Sequence, residues 1–154
     1  MKNLLQTLCG LFLVVFYSSC MNSGDNRVDV LIVGGGASGV TSGIQAARMG
    51  ANTLILEETT WLGGMLTSAG VSAVDGNYRL PAGLWGEFKN RLSDYYGGLD
   101  SLKTGWVSNV LFEPSVGNKI FHEMVSAEKN LKVWKQTRLE EVKRVGDEWI
   151  AKVN

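Results

Sequence analysis

The chain has 154 residues, 45% of them hydrophobic and 19% charged, which fits one globular domain. Its 15 basic and 15 acidic residues cancel, and this excludes an electrostatic nucleic-acid binder, which needs a basic face. Glycine is high at 19 residues and proline low at 2, but the glycines cluster and no internal repeat is present, so the chain is not low-complexity sequence.

The first twenty residues, "MKNLLQTLCGLFLVVFYSSC", place a basic Lys2 before an apolar run from Leu4 to Phe16 and small residues before Cys20. That is the layout of a secretory signal, and the run is shorter than the ~20 residues of a spanning helix. An uncleaved anchor or a buried helix is the alternative. The "YSSC" ending resembles a bacterial lipoprotein signal. The resemblance implies that residues 1–20 are a lipoprotein-type signal, cleaved so that Cys20 becomes the lipid-bearing first mature residue, with export to the periplasm or cell surface and membrane attachment through the lipid. Cys9 would leave with the signal. The mature chain would then have no disulfide, thiol nucleophile, iron–sulfur ligands or Cys/His zinc site, so no metal is expected. The single histidine, His122 in "KIFHEMV", is expected to be a surface residue rather than a catalyst.

Residues 21–27, "MNSGDNR", read as a polar tether. "VDVLIV", Val28 to Val33, is a β-branched run that suits a parallel strand covered on both faces. From Ala37 the spacing becomes helical, with Val40, Ile44 and Ala47 on one face and Gly50 as the stop. "NTLILEE", Asn52 to Glu58, reads as a second strand.

Gly34, Gly36 and Gly39 therefore form G-x-G-x-x-G inside strand–turn–helix–strand, the context that this motif requires. Gly34 permits a tight turn, Gly36 lets a pyrophosphate approach backbone amides, and Gly39 lets the helix pack close to the strand. The helix N-terminus adds partial positive charge and free N–H groups. Glu57 follows Gly39 by 18 residues, near the ~20 expected of the acid that binds ribose hydroxyls. A carboxylate there repels a 2′-phosphate and disfavours NADP. Glu58 is the substitute, although its parity points it to the other side of the strand.

"TTWLGGMLTSAG" carries a second glycine pair, Gly63 and Gly64. "PAGLWGEFKNRLSDYYGG" predicts a helix with Leu84, Phe88, Leu92 and Tyr95 towards the core and Gly97–Gly98 as its stop. Trp61, Trp85 and Trp106 are expected to be buried packing residues. "FEPSVGNKIFHEMVSAEKN" predicts a turn at Pro114 and a helix that buries Val116, Ile120, Met124 and Ala127. "LKVWKQTRLEEVKRVGDEWIAKV" alternates like strands, with a turn around Gly146.

At "DVLIVGGGASGVTSGIQAARMGANTLILEETTWLGGMLTSAG" the chain resembles the FAD-dependent oxidoreductase family, glutathione-reductase-like Rossmann flavoproteins related to heterodisulfide reductase flavoprotein subunits. The resemblance implies an α/β fold: a Rossmann-like FAD-binding domain with a parallel sheet and a β-ribbon over residues 28–154, incomplete at its C-terminus. Its cofactor would be FAD. Gly34, Gly36, Ala37, Ser38 and Gly39 match the pyrophosphate turn and Glu57 the adenosine-ribose acid. Gly63, Gly64 and Met65 match the segment that runs towards the flavin. Thr67 and Ser68 match positions near the isoalloxazine ring, with an ordinary small-residue loop as the alternative. Leu139 matches an adenine-contacting backbone position. Relatives often carry His at Ser115 and Ala at Gly117, so no role of that His is carried over.

Similar flavoproteins continue to a strand ending in Gly-Asp and to a substrate domain, so the chain reads as the N-terminal part of an exported bacterial flavin oxidoreductase. An NAD-binding dehydrogenase domain and a non-catalytic cell-surface lipoprotein are the rivals. No Ser–His–Asp set or carboxylate pair stands out, so no catalytic acid or base is assigned and the substrate stays open.

Overall fold

The computed structural model describes residues 26–154. The readings made for residues 1–20, Cys20 included, and for most of the 21–27 tether lie outside the described residues.

Three strands form a parallel sheet in the order β1 (Val30–Val33), β2 (Thr53–Glu57), β3 (Leu131–Lys135). The register sets Ile32 beside Ile55 and Ile55 beside Val133. Between β1 and β2 runs α1 (Ala37–Arg48), with Val40, Ile44 and Ala47 buried as their spacing predicts. A Cβ on Gly43 would lie 2.7 Å from Ile55 Cδ1, so this glycine lets α1 lie close on the sheet. Gly50 takes a φ of +96° just past the helix end, the left-handed stop expected of it. Asp29, the polar residue at the start of the first run, accepts the Asn52 N–H at 2.8 Å and so tethers the entries of β1 and β2.

Two more helices complete the core, α2 (Gly83–Tyr96) and α3 (Pro114–Ser126). Phe88 of α2 stacks on Phe121 of α3 with ring centroids 4.5 Å apart. In α2 the inward side chain of the last turn is Tyr96, not Tyr95. Tyr96 lies four residues beyond the buried Leu92, and its hydroxyl accepts the Glu113 N–H. Tyr95 is turned out and 52% exposed. In α3, Val116, Ile120 and Met124 are buried as expected, but Ala127 is exposed because the helix ends at Ser126. Phe121 and Val125 take up the core positions instead. Trp61 and Trp85 are half-buried, whereas Trp106 is 96% exposed on the loop after α2.

Lys89 is buried on α2 because its Nζ donates to Tyr78 O at 2.7 Å and Leu80 O at 2.9 Å. Those two carbonyls replace the water that a buried ammonium loses.

An antiparallel ribbon of β4 (Leu139–Val145) and β5 (Glu148–Val153) turns at Gly146. The expectation that the first strand is covered on both faces is not met. Among the described residues, α1 lies against the Ile32 side, while Leu31 and Val33 are 36% and 57% exposed. They open onto a concavity of 1110 Å³ shared with Leu54, Leu56, Trp149 and Ile150.

Candidate functional site

The first glycine turn sits at the carboxyl end of β1, the end at which open α/β sheets bind ligands. Gly34 adopts a φ of +100°, a conformation closed to most other residues, and its N–H donates to Leu56 O at 2.8 Å. Gly36 begins α1 with φ −63° and ψ 176°. No side chain caps that helix start, and its first turn, which begins at Ala37 and Ser38, contains no acidic residue. The partial positive charge there is left for an incoming anion.

The glycines divide their labour as the motif predicts. A Cβ at Gly36 would meet nothing within 4 Å, so the space beside that backbone is open. A Cβ at Gly39 would collide with the Gly34 carbonyl oxygen, so Gly39 serves helix–strand packing. A Cβ at Gly35 would come within 2.8 Å of Leu62 Cδ2 and 3.0 Å of Glu57 Oε2.

The fold joins two motifs that lie apart in the sequence. Gly63 N–H donates to Gly35 O at 2.8 Å, and Gly36 and Gly63 form a parallel bridge. A Cβ on Gly64 would lie 3.0 Å from Gly36 Cα. The two glycine pairs are therefore one junction, with backbone against backbone. Met65, on the short 3-10 helix Gly64–Leu66, is 68% exposed beside it. Thr67 is buried and its hydroxyl donates to Leu62 O at 2.6 Å. Ser68 is exposed, and its hydroxyl donates to Gly64 O at 3.2 Å.

Glu57 ends β2 nearly buried. Its Oε2 accepts the Gly35 N–H and its Oε1 the Thr59 N–H, both at 2.7 Å. A carboxylate offers about four lone-pair directions, so each oxygen keeps one for a further donor. The Glu57 carbonyl accepts the Thr137 N–H at 3.0 Å. That bond brings the β3–β4 connection, and half-buried Leu139 behind it, to the same end of the sheet. Glu58 is exposed and, among the described residues, pairs with Arg138 at 3.7 Å.

His122 is half-buried on α3, where burial first and Lys135 second push its imidazole below its ordinary value. Among the described residues, no group of three or more His, Cys, Asp or Glu could hold a metal ion. A second concavity, of 810 Å³, begins just past Ser68 and is lined by Gly70, Ser72, Tyr96, Leu111 and Glu113 among others.

Sequence reading missed Thr59, Leu62, Asn118 and Phe121. Thr59 stands only two residues from Glu57 and donates its N–H to that carboxylate, a local contact that the sequence order places within reach. The others act only through the tertiary fold.

Comparison with known proteins gives the family and the fold. The family described as FAD dependent oxidoreductase matches residues 29–154. No curated protein matches the chain. Among solved structures, the chain is similar to CabE, an aromatic hydroxylase from angucycline biosynthesis, with a TM-score of 0.56 and 14% identity, over 83% of this chain and 27% of that one. It is similar to p-nitrophenol 4-monooxygenase PnpA from Pseudomonas putida DLL-E4, with a TM-score of 0.52 and 14% identity, over 80% of this chain and 35% of that one. It is also similar to T. acidophilum thioredoxin reductase, with a TM-score of 0.50 and 21% identity, over 82% of this chain and 31% of that one. At such identities these likenesses show the fold, and the chain spans about a third or less of each protein.

Proposed function

The chain belongs to the FAD-dependent oxidoreductase family, and we propose that it supplies the adenosine and pyrophosphate half of the FAD site of an oxidoreductase. The observation that carries this reading is the junction of the two glycine pairs. Gly36 presents open backbone at an uncapped helix start, Gly64 closes against it, and Glu57 ends the adjacent strand. These residues fit a pyrophosphate flanked by a ribose. Bound FAD supplies two-electron redox chemistry, and the protein holds and orients it. Gly34, Gly36, Ala37, Ser38 and Gly39 would receive the pyrophosphate, Glu57 the ribose hydroxyls, and the backbone near Leu139 the adenine. Met65, Thr67 and Ser68 would lie on the flavin side. An NAD-binding dehydrogenase explains the first turn but not the second glycine pair.

If this half-site reading holds, the adenosine end dominates affinity. The test is to titrate the 154-residue chain with FAD by flavin fluorescence and then to compete with ADP or FMN. ADP is expected to displace FAD and FMN to leave it bound. Equal displacement by FMN would overturn the assignment.

Location is proposed from the sequence. Lys2, the Leu4–Phe16 run and "YSSC" support an exported lipoprotein held to a membrane by lipid on Cys20. Among the described residues, no helix is long and apolar enough to cross a membrane. Cys20→Ser is expected to move the protein out of the membrane fraction or leave its signal unprocessed. Fractionation identical to wild type would point to an uncleaved anchor.

A further inference from the structure

The Leu62–Gly63 step is held within its own loop by the Thr67 hydroxyl, which donates to Leu62 O at 2.6 Å, and from outside it by two other elements. Gly63 N–H donates to Gly35 O at 2.8 Å, on the nucleotide turn. Leu62 N–H donates to Asn118 Oδ1 at 2.9 Å, on α3. Among the described residues, Asn118 is the one helix side chain that hydrogen-bonds this step. Its neighbour on the same helix face, Phe121, fills the space beside Gly63: a Cβ there would lie 2.7 Å from the Phe121 ring. Leu62 is fully buried, and its side chain fills the space that a Cβ on Gly35 would need.

A chain of contacts thus runs from α3 through Leu62 to Gly35, whose N–H also holds Glu57. Asn is a mediocre helix former whose short amide competes for backbone partners. Its place in mid-helix makes sense if that amide has a task.

We propose that Asn118 is a positioning residue for FAD. By holding the Leu62 amide it sets how Gly63–Gly64 packs on Gly35–Gly36, and so where the Gly36 backbone that the pyrophosphate approaches is held. The proposal rests on the reading that these glycines hold FAD. The task requires only an acceptor, because Leu62 is the donor. Aspartate offers the same acceptor at the same reach, whereas alanine leaves the amide without its partner and the second glycine pair free to drift.

The test compares Asn118→Ala and Asn118→Asp in the full 154-residue chain, by FAD titration and by thermal unfolding without FAD. Asn118→Ala is expected to weaken FAD about tenfold, the loss of one hydrogen bond's worth of positioning. Asn118→Asp is expected to stay within about threefold of wild type. Unchanged FAD affinity in Asn118→Ala, with only a lower melting temperature, would show a merely structural bond and overturn the proposal. An Asp variant as weak as the Ala variant would overturn it too.

Should Asn118→Ala not fold, hydrogen exchange on the wild-type chain decides. FAD should slow exchange of the Leu62 amide, and no change on FAD addition would overturn the proposal. A wild-type chain that binds no FAD refutes the site itself, and the proposal with it.

Discussion

Gly36→Val is expected to leave the fold intact and to abolish FAD binding. A Cβ at this position meets no atom within 4 Å. The backbone there, at φ −63° and ψ 176°, is one that any residue adopts. Folding stability should therefore fall by no more than about 1 kcal/mol, the cost of placing a branched residue where glycine caps a helix. The ligand would feel it strongly. A branched side chain would occupy the space through which the pyrophosphate reaches the amides at the start of α1. Charge-assisted hydrogen bonds contribute roughly 1.5–3 kcal/mol each, so the loss of two weakens binding by about a hundredfold or more. The measurement pairs a circular dichroism melt with an FAD titration. A wild-type melt without binding supports the pyrophosphate assignment. Wild-type affinity removes it, and an unfolded variant would show that the space beside Gly36 is not open.

The nucleotide half of the fold was legible because its signals are local. The spacing of Gly34, Gly36 and Gly39 encodes a turn, an open backbone and a helix contact within six consecutive residues, and the structure shows a positive φ at Gly34, open space beside Gly36 and close helix–strand packing at Gly39. The 3.6-residue period placed Val40, Ile44 and Ala47 inward for the same reason. Errors arose where a neighbour in space decides. Tyr95 and Tyr96 satisfy helical spacing about equally, and the Glu113 N–H on another element selects Tyr96. The run from Val28 has the composition of a buried parallel strand, but among the described residues a helix, α1, lies against its Ile32 face while Leu31 and Val33 stay exposed. The meeting of Gly35–Gly36 with Gly63–Gly64 spans about thirty residues, and no periodicity links them. Asn118 is further still. A polar residue in an apolar helix looks like a solvated position until Leu62 arrives beside it.

Glu57 carries a second burden that its ribose role does not reveal, and Glu57→Gln should expose it. Its two carboxylate oxygens each accept one backbone N–H, from Gly35 and from Thr59, at 2.7 Å. Glutamine has the same shape but a single acceptor oxygen, so its NH₂ would face one of those N–H donors. One charge-assisted bond becomes a donor–donor contact and the other loses its charge, at a cost of about 2–4 kcal/mol. The ligand-free variant is accordingly expected to melt several degrees lower, at a few degrees per kcal/mol for a chain of this size. Its FAD affinity should also fall, because Gly35 belongs to the pyrophosphate turn and loosens with the lost bond. Glu58→Gln is the control. Glu58 is exposed and, among the described residues, pairs with the exposed Arg138, and exposed pairs contribute little, so both readouts should match wild type. A Glu57→Gln chain that melts like wild type but loses FAD would confine Glu57 to the ligand. Equal effects from the two substitutions would return the ribose acid to an open choice between Glu57 and Glu58. The expected pattern, loss of both readouts at Glu57 and of neither at Glu58, would mean that the acid is locked in place before the nucleotide arrives. Its remaining lone pairs would then meet the ribose hydroxyls without reorganisation, which is how preorganisation raises affinity.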